Sequence, residues 1–155
     1  YEMINKVYMT SYCFKSIEYM IKRHDQKTEI GGVLVGFQKG DCLTITHASD
    51  PGPKAVMKHN SIKIDEEYTT DYCNYLNKVS NNTLYYLGDW HTHLSDNLLP
   101  SPTDYVAVQT LASYLPEDIR YSLITVIFNH FSPNSFKVYN YTKKKILKEV
   151  NCKII

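Results

Sequence analysis

The chain has 155 residues, a formal net charge of +1 and 43% hydrophobic side chains. That length supports one domain spanning 1–155 and is too short for two. The near-neutral charge speaks against a nucleic-acid partner, because phosphate binding usually leaves a basic footprint, and no run of about 18 apolar residues is present to cross a membrane.

The first predicted element is a helix over Ser11 to His24, with Phe14, Ile17, Tyr19, Met20 and Ile21 at mostly helical spacing and Ser11 as its cap. Glu29 to Phe37 is rich in Val and Gly and reads as a buried strand. Gly31 and Gly32 weaken a strand unless a backbone approaches closely or a bulge is needed. Lys39-Gly40-Asp41 is a turn, and Cys42 to Ala48 a second strand. Pro51-Gly52-Pro53 makes a sharp connection.

Ser61 to Ile64 reads as a further strand, and Asp65 precedes a helix to about Val79. On that helix Tyr68, Tyr72, Tyr75, Leu76 and Val79 are expected on one stripe, with Tyr72 and Tyr75 packing. Leu84 to His91 is a strand, and Ser101 or Thr103 caps a helix through Val106, Val108, Leu111 and Leu115. Ser122 to Asn129 and Ser135 to Tyr141 read as strands, and Lys143 to Val150 as a terminal helix. This mixture implies an α/β layer fold.

Four cysteines, at 13, 42, 73 and 152, lack C-x-x-C spacing, so neither a zinc finger nor a dense disulfide framework is expected. Cys13 and Cys73 lie in apolar-periodic segments and read as core residues. A reducing, cytoplasmic setting is expected. No signal peptide is visible, and the start at Tyr1 rather than Met leaves the natural N-terminus open.

The chemistry concentrates in Asp89-Trp90-His91-Thr92-His93, then seven residues, then Ser101-Pro102-Thr103-Asp104. In an extended segment, side chains at i and i+2 share a face. His91 and His93 therefore project together, about 7 Å apart along the strand, close enough to converge on one ion. Asp104 in the first turn of the next helix can face back toward them. Two imidazoles and a carboxylate suit zinc, and three protein ligands leave a fourth position for water, as catalytic sites do. Upstream, Glu29 on its apolar strand is a candidate general base.

Each residue alone has a plainer reading. His-x-His can be a packing accident, Ser101 an N-cap, Asp104 a helix-terminal charge and Glu29 a strand-edge charge. Together, Glu29, His91, His93, Ser101 and Asp104 resemble the JAMM motif of the MPN (JAB) metalloprotease family. Its pattern is an upstream Glu, then His-x-His, seven residues and Ser-x-x-Asp. The flanks are similar too: Gly31-Gly32-Val33-Leu34-Val35-Gly36, Ala48-Ser49-Asp50-Pro51-Gly52-Pro53 and Tyr86-Leu87-Gly88-Asp89-Trp90. The resemblance covers roughly Tyr12 to Phe136 and is greatest to the compact prokaryotic branch. Leu94 departs from it, standing where the family often has Pro, but this removes no ligand.

The resemblance implies an α+β fold of the MPN/JAB (cytidine-deaminase-like) type: a curved, mixed, mostly antiparallel sheet flanked by helices, with the metal at one sheet edge. It implies one Zn2+ per chain on His91, His93 and Asp104, with Glu29 as general base and Ser101 as oxyanion donor. The implied reaction is isopeptide or peptide cleavage after the C-terminal glycine of a ubiquitin-like protein or its conjugate. Prokaryotic relatives of this kind accompany activating and conjugating enzymes in antiphage operons. Two alternatives remain: trimming of a sulfur-carrier protein in cysteine or cofactor biosynthesis, and a non-catalytic MPN scaffold. A zinc deaminase is disfavoured, because no Pro-Cys-x-x-Cys follows the histidines.

Around the motif, Asp89 reads as a strand-end carboxylate or as a group orienting a ligand histidine. Trp90 is expected to pack on the opposite face. His24, His47, His59 and His130 read as surface or polar-core residues, and Lys143-Lys144-Lys145 as a solvated face.

Overall fold

The computed structural model describes residues 3–155. Its strands are β1 (Lys6–Met9), β2 (Gly31–Lys39), β3 (Cys42–Ala48), β4 (Val56–Met57), β5 (Ile62–Lys63), β6 (Tyr85–His93), β7 (Ile124–Asn129), β8 (Ser132–Tyr141), β9 (Leu147–Val150) and β10 (Cys152–Ile154). Its helices are α1 (Ser11–Arg23), α2 (Glu66–Val79), α3 (Pro102–Ser113) and α4 (Glu117–Arg120). Eight strands form one mixed sheet in the order β10-β1-β3-β2-β6-β7-β8-β9, and β4 and β5 form a separate hairpin. The β2/β3, β2/β6, β7/β8 and β8/β9 pairs are antiparallel, and β1/β10, β1/β3 and β6/β7 are parallel. The architecture is the curved, mostly antiparallel α+β sheet flanked by helices that the family resemblance implies.

The helices cover the sheet from its two faces. Cys13, Ile17 and Ile21 of α1 pack with Leu34, Leu87, Trp90 and Phe128. Val108 and Ala112 of α3 pack with Leu123, Ile127, Tyr139 and Tyr141. Among the described residues, no helix is long and apolar enough to cross a membrane.

Local chemistry moves several boundaries. Thr10, not Ser11, caps α1: its Oγ1 accepts from Cys13 N at 3.1 Å. Asp65 caps α2 as expected, accepting from Tyr68 N at 3.2 Å. The inner stripe of α2 is Thr69, Tyr72, Cys73 and Leu76, so Tyr75 is 66% exposed rather than packed. The tyrosine-rich spacing lies one step around the helix from the face that Thr69 buries. The expected terminal helix is instead a turn and a strand. Thr142 N bonds Ile146 O across the turn, Lys145 takes φ 61°, and β9 pairs with β8. Leu147 and Val150 are both buried, and their three-residue spacing imitates a helical stripe.

Gly31 and Gly32 answer to close backbone approach. A Cβ at Gly31 would sit 2.3 Å from Trp90 O, and one at Gly32 would sit 2.2 Å from Ser49 O. The irregularities of β2 come later, between Leu34 and Gly36. Gly88 is the critical glycine of β6. Its φ is +146°, and a Cβ there would fall 1.8 Å from Ile124 O. The β2/β6 register shifts beside it, so Leu87 joins Trp90 in one core and Tyr86 packs against the other. That shift sets which face His91 and His93 occupy. Gly88→Ala should therefore cost at least about 2 kcal/mol through steric overlap and a disfavoured φ. Urea unfolding checks this, and a cost below about 0.5 kcal/mol would contradict it.

Candidate metal centre

The site forms where the C-terminal end of β6 meets the N-terminal end of α3. β6 is an interior strand, with β2 on one side and β7 on the other. The centre therefore lies at a strand end in mid-sheet, not at the sheet edge that the sequence reading expects. Interior pairing holds the histidine backbone from both sides: His91 lies opposite Gly31 and Ile127, and His93 opposite Asn129.

Asp104 is held by its own helix start. Ser101 N donates to Asp104 Oδ2 at 2.8 Å, and Asp104 N donates to Ser101 Oγ at 3.2 Å, a reciprocal capping box with Pro102 at the first turn. Ser101 Oγ accepts in that bond, which leaves its own proton for another acceptor. The carboxylate reaches both histidines. His91 Nε2 lies 3.1 Å from Asp104 Oδ1, and His93 Nε2 lies 3.2 Å from Oδ2. The two Nε2 atoms are 3.3 Å apart.

These separations suit one small cation. Bonds of about 2.0–2.1 Å in tetrahedral geometry place ligand atoms roughly 3.3 Å from one another. Among the described residues, His91, His93 and Asp104 are the group able to hold such an ion. His93, as a neutral imidazole, also has the right tautomer. His93 Nδ1 bonds Asn97 O at 2.8 Å and must donate there, so Nε2 keeps its lone pair for a metal.

Electrostatics reflect the crowding. Burial works to raise the Asp104 carboxyl, but hydrogen bonds from His91 and His93 outweigh it and hold that group well below the usual carboxylate range. Burial lowers His93, yet the Asp104 bond, the Asn97 carbonyl and the nearby carboxylates leave it raised. Glu29 is 6% exposed, and its N–H bonds Lys58 O at 2.8 Å. Burial pushes its carboxyl up, with His91 and His93 opposing. Glu29, His91 and Asp104 line one end of a cleft of about 110 Å³.

All five expected residues thus meet at this centre. Thr92, between the two histidines, adds a link that the motif alone did not reveal. It points to the opposite face and is fully buried. Its N–H donates to Ile30 O at 2.9 Å, and its Oγ1 accepts from Ile30 N at 3.1 Å. The same Oγ1 lies 2.8 Å from His130 Nδ1. Both polar backbone groups of Ile30 therefore end on Thr92, which ties the residue after Glu29 to the histidine pair. Thr92→Val should cost about 1 to 3 kcal/mol in urea unfolding by leaving the buried Ile30 N–H without its acceptor, and Thr92→Ser should recover most of it. Equal stability for Val and Ser would remove the hydroxyl from the account.

Other expectations resolve individually. Trp90 is 1% exposed on the packing face, and its Nε1 donates to Ser49 O at 3.0 Å. His130 is a buried polar-core residue and His59 is exposed. Cys13 is buried and Cys73 half-buried, and all four cysteines are free thiols. Asp89 is not at a strand end. It lies within β6, opposite Val33 and Thr125, and accepts from Tyr86 Oη at 2.8 Å. Burial pushes its carboxyl up to about 6.

The chain is similar to several known proteins. The family model described as JAB1/Mov34/MPN/PAD-1 ubiquitin protease matches residues 2–117. A protein of Escherichia coli (strain TW11681) named CD-NTase/cGAS isopeptidase is 38% identical over 81 residues, covering 52% of each chain. A protein of the same name from Vibrio cholerae serotype O1 is 32% identical over 81 residues, again 52% of each. The chain spans about half the length of these curated relatives. A solution structure of a Desulfitobacterium hafniense protein superposes with a TM-score of 0.62 at 18% identity, over 96% of this chain and 94% of that one. That likeness concerns the fold alone.

Proposed function

The chain belongs to the JAB1/Mov34/MPN/PAD-1 ubiquitin protease family, and on that premise we propose that it is a zinc-dependent isopeptidase of the compact prokaryotic branch. The observation that carries the reading is the near-tetrahedral spacing of His91 Nε2, His93 Nε2 and Asp104 beside a buried glutamate. His91, His93 and Asp104 would hold the zinc, which supplies Lewis acidity that brings the pKa of water toward about 7. Glu29 then takes a proton from water at its carboxylate and returns it to the leaving amine. Its burial favours the neutral acid, which is the form that must donate. Ser101 offers its hydroxyl proton to the carbonyl oxygen as charge develops there, an effect worth roughly 10²- to 10³-fold in rate elsewhere.

The substrate is proposed to be a protein with an extended C-terminal tail ending in glycine. The cleft runs from Glu29, His91 and Asp104 between Ser61, Ile62 and Ile64 on one wall and Ala107, Val108 and Leu111 on the other. The β4/β5 hairpin has only two strands, so it offers a free edge on which a tail can add as a strand. Glycine before the scissile bond suits so narrow a passage. The modifier would be a ubiquitin-like protein or a CD-NTase, the latter suggested by the names of the two bacterial relatives. Activating and conjugating enzymes would be its operon partners in antiphage defence.

The test is a ubiquitin-like protein or CD-NTase joined through its C-terminal glycine to a reporter. Cleavage is expected at that junction, stopped by a chelator and restored by zinc. Thiol-directed inhibitors should leave it unchanged, because no cysteine lines the cleft and burial pushes the Cys13 thiol up to about 12. Zinc-loaded protein that cuts no such fusion across a broad panel, sulfur carriers included, would favour the scaffold reading.

A further inference from the structure

The floor of the cleft carries one charge that the reaction does not use. Asp89 lies two residues before His91 on β6 and lines the same cleft. One of its carboxylate oxygens accepts from Tyr86 Oη at 2.8 Å. Among the described residues, no Lys or Arg forms an ion pair with it. The cleft it shares is lined largely by apolar side chains, Ile62, Ile64, Val108, Leu111 and Leu123 among them, with Thr125 opposite Asp89 on β7. An acid amid apolar walls is costly unless something satisfies it. The neighbouring hydroxyl supplies one bond, and a carboxylate can accept several.

We propose that Asp89 is a specificity-determining residue, selecting a Lys or Arg side chain in the C-terminal tail of the protein substrate. The idea rests on the isopeptidase reading of this cleft. An extended tail rises about 3.3 Å per residue, and Asp89 lies two residues along β6 from His91. The side chain that reaches Asp89 therefore belongs to the second to fourth residue upstream of the scissile bond. Lys and Arg carry long aliphatic stems that the Ile and Leu walls can cover, while the head meets the carboxylate. A neutral residue of the same length would leave the acid unmatched, and an acidic one would repel it.

The experiment uses the zinc-loaded chain and fluorogenic peptides that end in a single Gly at the scissile bond. A single Arg is moved through the four upstream positions, with norleucine and Glu as controls. At one position Arg should exceed norleucine by about tenfold in kcat/KM, the scale of one charge-assisted hydrogen bond. In Asp89→Asn that ratio should fall below about twofold, and in Asp89→Arg the preference should turn to Glu. Binding of the same peptides to Glu29→Gln protein and to Glu29→Gln/Asp89→Asn protein, followed by fluorescence polarisation, separates the two hypotheses. If no peptide is cut, the isopeptidase reading has failed, and the Arg preference in binding still decides the role of Asp89. Absence of an Arg preference in both cleavage and binding, or its survival in Asp89→Asn, overturns the proposal. Should Asp89→Arg not fold, the Asn variant alone decides.

Discussion

Purified protein is expected to carry about one zinc per chain, and His91→Ala to lose it. The reason is geometric. Three ligand atoms from two elements already sit about 3.1–3.3 Å apart, and each is fixed by something other than a metal. β6 is paired on both sides, Asp104 is locked by the Ser101 capping box, and His93 is oriented by the Asn97 carbonyl. Two remaining ligands cannot close the site, so affinity should fall well beyond the 10- to 100-fold seen for losing a supporting group. Elemental analysis after dialysis gives the answer. His130→Ala is the matched control, since it removes a buried histidine that is not a proposed ligand. Full zinc in His91→Ala would end the assignment.

The candidate site was more legible than the fold because its signal is local. Ligand types at fixed offsets in His91-Thr92-His93 and Ser101-Pro102-Thr103-Asp104 need only the period of a strand and a helix start to be read. Strands β1 and β10 escaped notice because they have four and three residues and gain their order from parallel pairing across the length of the chain. The false terminal helix came from Leu147 and Val150, whose spacing fits either period. Asp89 and Thr92 were obscured for a different reason. The bulge at Gly88 and the flanking strands β2 and β7 determine what each one meets, and no offset within β6 encodes that. Tyr86 reaches Asp89 only because the bulge breaks the two-residue alternation.

Glu29→Gln should keep zinc and fold while losing about 10²- to 10⁴-fold in turnover, the range expected of a positioned general acid–base. Glutamine preserves the volume and can hydrogen-bond water, but it cannot take a proton from it. Glu29 is no part of the His91, His93 and Asp104 ligand group, so metal content should be unchanged. Stability supplies an independent check in chelated protein. Burial raises the folded Glu29 carboxyl above its ordinary value of 4.5. A raised folded pKa means that the native state binds the proton more tightly than the unfolded chain does. Its contribution is therefore fully present below about pH 4.5 and is lost as pH rises through the folded value. Chelated Glu29→Gln should thus gain stability relative to wild type between pH 4 and pH 7, as read by urea midpoints at each pH. Loss of turnover alongside that gain separates catalysis from folding. Near-wild-type turnover in the zinc-loaded variant would remove Glu29 from the reaction.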